Sequence, residues 1–290
     1  MVNIKDSIKK IKKVLLNLTR NGQQNRNIPI YLFCYHKTGT VLLFNIFRQI
    51  CVEFGWKFEQ ILGRCEEIPF DADVVLFCHS LVDFGIINKP YLGIHVIRDP
   101  RDIIVSGYLY HKRCNEEWCI TNLDYSNQIR YPIPFSQQYK SKKWRKNYLT
   151  SLGGKSYQQN LIELNETQGL LFEMRHCGMW TIKSMMDWDY RNPKVMEIKF
   201  EELMTNFDTT FKKIFEHLNF SNYQTSKSLK IASQHDLNRM TEEQLKKNSH
   251  ISSRKTTKWR KYFKDVHKKE FKKLFGNDLI QLCYEKSNEW

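Results

Sequence analysis

Four short runs along the chain, Ile30–Tyr35, Val74–Cys78, Tyr91–Ile97 and Val195–Phe200, carry almost no internal polar residue. Runs of that length without alternation predict strands buried on both faces. Between and after them, apolar residues recur at helical spacing over Val41–Phe54, Asp102–Tyr110, Tyr157–Asp189, Asp208–Leu218 and Lys268–Tyr284. Strands alternating with helices predict an α/β fold, a central parallel β-sheet flanked by helices. No internal repeat interrupts the pattern, so residues 1–290 read as a single domain. Two segments depart from it. Residues 1–27 form a basic N-terminal helix in which Ile4, Ile8, Ile11, Leu15 and Leu18 make an apolar stripe among lysines. The plain reading packs that stripe on the core; the sharper one is a weak contact with an anionic membrane surface. Residues 114–155 hold Pro132, Pro134 and Gly153-Gly154 among polar and aromatic residues, and read as an insertion or lid.

A net charge of +15 favours an anionic partner without choosing among nucleic acid, polyanionic glycan and phosphorylated small molecules. Eight scattered cysteines, without two closely spaced pairs, predict free thiols and a reducing compartment, hence a cytoplasmic location. No run approaches 18 apolar residues, so no transmembrane segment is expected.

Two loops carry the chemistry. The stretch "YHKTGTVLL", residues 35–43, follows the first strand and opens a helix. A helix N-terminus there offers unpaired N–H groups, Gly39 lets the backbone approach closely, and Lys37, Thr38 and Thr40 add a cation and hydroxyls. An ordinary capped turn with a solvated lysine has the same composition. The order of residues is not that of a P-loop nucleotide kinase, because Lys37 precedes Gly39, and the strand Val74–Cys78 ends at His79 where a magnesium-binding aspartate would be expected. The second loop, "RDPRDIIVSGYLYHKR", residues 98–113, places Arg98 at a strand end and Ser106 eight residues on. Arg98 and Arg101 have the planar forks that suit phosphate, or they pair with Asp99 and Asp102.

Together the two loops resemble a family. "YHKTGTVLL" is similar to the phosphosulfate loop of the sulfotransferases, roughly PKSGTTW, and "RDPRDIIVS" resembles their 3′-phosphate loop. "VMEIKFEEL" (195–203) and "SRKTTKWRKYF" (253–263) resemble the family's YEDL-like and RKG…W segments, so the resemblance spans about residues 30–265. It implies a P-loop-like sulfotransferase fold and 3′-phosphoadenosine 5′-phosphosulfate (PAPS) as donor, with no metal required. Carried over residue by residue, Lys37 bridges the 5′-phosphate and the departing sulfuryl group, and Thr38, Gly39, Thr40 and Val41 cradle that phosphate. Arg98 and Ser106 hold the 3′-phosphate, Arg254 and Lys255 add to that grip, and Phe200 replaces a tyrosine beside the nucleotide. His79 matches the histidine that serves as general base in the cytosolic branch of the family.

The expected activity is in-line transfer of the sulfuryl group to a hydroxyl or amine of a small-molecule acceptor, in secondary metabolism, by a monomer or homodimer. A carbohydrate or polysaccharide sulfotransferase is the alternative. A nucleotide kinase and a non-enzymatic polyanion- or nucleic-acid-binding protein stand behind it; nucleic acid is not the expected partner. Departures are plain: His36 stands where proline is usual, Leu42 where an adenine-stacking aromatic falls, and Thr256 replaces the RKG glycine. Aromatics of the insertion, among them Trp118, Tyr125 and Trp144, would line the acceptor side or pack the insertion down. Glu116, Glu117 and Asp124 could meet a cationic acceptor, but the preferred reading is a solvated loop.

Overall fold

A computed structural model describes residues 26–125, 142–247 and 254–290. The N-terminal helix and most of the insertion's centre lie outside the described residues.

Strand β1, Ile30–Phe33, alternates its side chains between two cores. Ile30 and Leu32 face one side, where the helix Thr40–Phe54 contributes Leu43, Ile46, Phe47 and Ile50, and the helix Phe207–His217 contributes Phe211, Ile214 and Phe215. Tyr31 and Phe33 face the other, against Phe77, Tyr91 and Trp188. The two-residue period of a strand thus feeds both faces at once, which is why the run shows no polar alternation. The other strands are β2 (Phe58–Ile61), β3 (Arg64–Cys65), β4 (Val74–Phe77), β5 (Leu81–Val82), β6 (Leu92–Ile97) and β7 (Val195–Lys199). Five of them form one sheet in the order β2-β4-β1-β6-β7, and every pair in it is parallel. β3 and β5 form a separate short parallel pair.

Each of the four predicted strands is present. The sheet adds β2, an edge strand reading Phe-Glu-Gln-Ile, whose polar positions hide it from a search for apolar runs. The predicted helix Tyr157–Asp189 is three helices: Tyr157–Glu163, Glu166–Arg175 and Cys177–Met186. The first break is local chemistry, since Leu164 is extended and the Asn165 side chain caps the next helix by accepting from Gln168 N–H. At the second, His176 leaves helical space at φ −119°, ψ −106°. The last predicted helix breaks at Gly276, φ 47°. These helices pack with Pro100–His111 into a second layer around Tyr108, Trp118, Tyr157 and Met174. Trp118 and Tyr148 of the insertion are buried in that layer. Among the described residues no helix is long and apolar enough to cross a membrane. All eight cysteines are free thiols, and all but Cys283 are buried.

The chain runs from β1 outward to β2 and β4, then crosses to β6 on the opposite side of β1. That reversal opens a crevice above the carboxyl ends of β1 and β6, the usual ligand position of such sheets. Loops after four adjacent strands converge on it: His36–Gly39 after β1, His79 after β4, Arg98 after β6 and Phe200 after β7.

Close strand packing makes one position especially intolerant. A Cβ on Gly93, in β6, would lie 2.9 Å from the Tyr31 carbonyl oxygen and 3.1 Å from the Phe33 ring. Gly93→Ala is expected to lower stability by about 1–3 kcal/mol. Urea unfolding should show an earlier midpoint with an unchanged slope.

Candidate active site

The loop after β1 is built by its own side chains. Tyr35 N–H donates to the Thr38 hydroxyl at 2.7 Å, and that hydroxyl donates back to the Tyr35 carbonyl at 3.0 Å. The Thr40 hydroxyl donates to the same carbonyl at 3.0 Å. Thr38 is fully buried. Both threonine hydroxyls therefore shape the loop, and the groups it presents are backbone N–H groups at the start of the helix Thr40–Phe54. That helix has Gly39 as N-cap and no side-chain cap. Val41 lies exposed in its first turn.

Two backbone positions are strained into place. Lys37 adopts φ 64°, a left-handed conformation uncommon for a non-glycine residue. Gly39 adopts φ 112°, and a Cβ there would sit 3.1 Å from the Phe200 ring. Phe200 closes over this glycine from the end of β7, and the same ring lies under the Arg98 guanidinium at 4.6 Å. Arg98 completes the join by donating from Nη1 to the Lys37 carbonyl at 2.9 Å.

Arg98 and Arg101 have opposite fates. Arg101 is held by both carboxylate oxygens of Asp99 at 2.9 and 2.7 Å and by Glu285 at 2.5 Å. The Trp259 and Trp290 rings lie 3.9 and 4.6 Å from its guanidinium carbon. It is a structural arginine. Arg98 is 5% exposed, yet among the described residues its Nε has no hydrogen-bond partner. Ser106 is buried in the helix Pro100–His111 that begins after Arg98.

Lys37, Arg98 and Lys258 form a positive cluster. Lys37 has its Nζ 3.7 Å from the centre of the Tyr110 ring. Burial, then Arg98, with smaller contributions from Lys258 and Arg113, lowers its pKa to about 7 against the opposing pull of Glu116. Lys258 is lowered to about 8 by burial and then Arg98. Burial raises the Asp102 carboxyl to about 7, Arg98 opposing, so at neutral pH it offers only a partial counter-charge. Confining cations this way is unfavourable without an anion. An anion bound among them removes that penalty, so the residues present fit a phosphate- or sulfate-bearing ligand.

The other expected site residues are placed as follows. Arg254 donates to the carbonyls of Leu237 and Met240 at 2.9 and 2.7 Å and pairs with Glu242, so it is tied to that turn. Lys255 is exposed. The cation that this segment buries beside Arg98 is Lys258, one residue before the buried Trp259. The resemblance points to Arg254 and Lys255, whereas the neighbouring tryptophan marks the inward-facing end of the segment. Tyr110 was also missed; it lies four residues after Ser106, hence on the same helical face. Glu116 is no solvated loop residue, since it accepts from the Tyr110 hydroxyl and from Trp118 Nε1, each at 2.5 Å.

His79 sits at the end of β4 with Nδ1 accepting from Gly63 N–H at 3.1 Å. Burial pushes its pKa down to about 4, Glu116 opposing. The ring is neutral at physiological pH.

Comparison with known proteins places this site in a family. Residues 79–283, more than two thirds of the chain, match the sulfotransferase domain model. The chain belongs to that family and is a sulfotransferase. Its fold is similar to that of mouse sulfotransferase SULT7A1, solved in complex with PAP, with a TM-score of 0.50 at 15% identity over 90% of this chain and 88% of that one. A looser likeness is to retinol dehydratase in complex with androsterone and the inactive cofactor PAP, with a TM-score of 0.44 at 13% identity, covering 89% of this chain and 82% of that one. No curated protein matches the sequence.

The lowered Lys37 pKa has a measurable consequence. An anion prefers the protonated amine, so binding raises the pKa and takes up a proton between about pH 7 and the higher pKa of the bound state. Affinity for a phosphate-bearing nucleotide is expected to fall as pH rises above 7, by up to about tenfold per pH unit. Calorimetry at pH 8 in two buffers of different ionisation enthalpy should show net proton uptake, lost in Lys37→Met.

Proposed function

We propose that the protein transfers the sulfuryl group of PAPS to a hydroxyl or amine of a small-molecule acceptor by in-line displacement. The observation that carries this reading is the buried Arg98, bonded to the Lys37 carbonyl on one side and, among the described residues, unpartnered at Nε on the other. It joins two anion-binding loops at the strand ends where a nucleotide bearing two phosphate groups would lie. In this reading the N–H groups at the start of the helix Thr40–Phe54 hold the 5′-phosphate. Lys37 neutralises the charge that develops on the bridging oxygen as it leaves sulfur. Arg98, with Lys258 beside it and Ser106 on the adjoining helix, takes the 3′-phosphate. Phe200 supports both loops from beneath through its contacts with Gly39 and the Arg98 guanidinium.

His79 is the general base in this reading, as the resemblance implies. It stands after β4 with Nδ1 on the Gly63 N–H, and burial keeps its ring neutral at physiological pH, the form that a base needs.

Two outcomes test this. Adenosine 3′,5′-bisphosphate (PAP) should bind far more tightly than adenosine 5′-monophosphate at about 150 mM salt. Hydrogen bonds to charged groups contribute about 1.5–3 kcal/mol, so Arg98→Ala should weaken PAP roughly ten- to a hundred-fold. Equal, weak calorimetric binding of both nucleotides would refute the donor assignment. For His79, the Gln variant keeps a donor and cannot take a proton. It should lower turnover of PAPS about 10²–10⁴-fold, and a rate within about tenfold of wild type would overturn the base assignment.

A further inference from the structure

Three groups far apart in sequence meet behind the loop that carries Lys37. His36 stands directly before that lysine, His111 ends the helix Pro100–His111, and Cys177 opens the helix Cys177–Met186. The Nε2 atoms of the two histidines lie 2.9 Å apart. Cys177 Sγ lies within 4.8 Å of a ring nitrogen of each. His111 and Cys177 are buried and His36 is half-buried.

An outer layer orients the inner one. His111 Nδ1 lies 2.8 Å from Oε2 of Glu173, and the same oxygen accepts the Tyr157 hydroxyl at 2.9 Å. That hydroxyl in turn accepts from Cys177 N–H at 3.4 Å. A carboxylate only accepts, so His111 carries its proton on Nδ1 and turns the lone pair of Nε2 toward His36 and Cys177. Carboxylate–histidine pairs of this kind fix the tautomer and raise the basicity of a metal-ligating imidazole. The fold makes room for the pair. Gly107 lies inside a helix, where glycine is unfavourable, and a Cβ there would collide with the Glu173 carboxylate. A Cβ on Gly178, beside Cys177, would lie 2.9 Å from the Glu173 carbonyl oxygen.

We propose that His36, His111 and Cys177 form a binding site for a zinc-type divalent cation, with Glu173 as a positioning residue that holds His111 in its ligating tautomer. Two imidazoles and a thiol offer no oxygen, so the set does not suit magnesium or calcium and does suit zinc. Distances agree with that choice. Nitrogens about 2.0–2.1 Å and a thiolate about 2.3 Å from a tetrahedral zinc stand about 3.3 and 3.6 Å from one another. The two nitrogens at 2.9 Å need to open by about 0.4 Å, and a sulfur within 4.8 Å needs to close by no more than about 1.2 Å.

Coordination takes up the His36–His111 contact and releases the thiol proton to solvent. His36 ligates through the nitrogen that already faces His111, and its second nitrogen is left to an outer partner, as ligating histidines ordinarily have one. The Cys177 thiolate and the Glu173 carboxylate together balance a dication, so it adds no net charge beside Lys37. Three protein ligands leave a fourth position for water. The role is structural, and no step of sulfuryl transfer passes through the cation. It pins the residue before Lys37, whose backbone holds φ 64°, to two helices. The proposal does not depend on PAPS as donor.

The test uses the full chain, stripped with a chelator and dialysed against zinc. Mass spectrometry of the metal should find one zinc per chain. Titration with cobalt(II) alone should give a sulfur-to-cobalt charge-transfer band and the strong visible bands of a tetrahedral site. Cys177→Ala should abolish the charge-transfer band, while Cys283→Ser, at the exposed thiol, should keep it. Glu173→Gln should weaken zinc about ten- to a hundred-fold through His111, and His36→Gln, which removes a ligand, by more than that. At about a hundredfold excess over its Kd, zinc should raise the melting temperature of the wild type by about 4 °C. His36→Gln alters a half-buried loop residue, so it carries the test if the buried Cys177→Ala variant does not fold. A wild type that retains no zinc, cobalt spectra without sulfur charge transfer, or equal zinc affinity in wild type and His36→Gln would each overturn the proposal. PAP binding by the stripped wild type is measured in parallel, and its failure would count against the donor assignment alone.

Discussion

The hydrogen bond from Arg98 to the Lys37 carbonyl joins the two halves of the site. It links the end of β6 to the loop after β1, across the reversal of strand order that opens the crevice. Lys37 must hold a left-handed backbone to turn its carbonyl toward Arg98 and its amine toward Tyr110. Such a conformation costs of order 1 kcal/mol or more and persists only where neighbours over-determine it. Here the neighbours are the Thr38 hydroxyl bonded at both ends to Tyr35, and the Phe200 ring packed against Gly39. A second shell holds Arg98 in turn. Glu201 accepts from Asp99 N–H at 3.1 Å and from the Tyr284 hydroxyl at 3.0 Å, so β7 and the C-terminal segment brace the loop in which Arg98 sits.

The same arrangement loads the unliganded protein with electrostatic cost. Lys37 and Lys258 are depressed by burial and by Arg98, against the smaller opposing pulls of Glu116 and Asp102 respectively. A site of this kind is suited to an anion, whose charge would offset that cost and meet dipoles already in place. The C-terminal segment shows how little of such a cluster resides in any one motif. Arg254 is consumed by two carbonyls and Glu242, and Lys258, further along the same basic run, is the one turned inward beside Trp259.

Legibility in the sequence followed the physical origin of each feature. The three inner strands β4, β1 and β6 were readable because burial on both faces removes polar residues from them, and β7 from the apolar residues that flank its Glu197 and Lys199. Edge strand β2 was not, because one side of it meets solvent and its residues include Glu59 and Gln60. Helix position was readable from periodicity, but the breaks at Leu164 and His176 were not. A cap such as Asn165 is a side-chain hydrogen bond, and an apolar stripe continues through it. Arg98 and Arg101 looked alike on paper. Only the folded chain places Asp99, Glu285 and two tryptophans around one and an open Nε on the other.

By itself, then, the sequence determined the parallel α/β architecture and the two loops that resemble those of the sulfotransferases. Each of these depends on residues close together in the chain, so local periodicity and spacing suffice to specify them. The tertiary structure decided which cations are tied to carboxylates and which are gathered together. It tied Arg101 to Asp99 and Glu285 and turned Lys258 inward near Arg98, beside Trp259. Such placements depend on partners, and partners distant in sequence meet only when the strands and helices have packed.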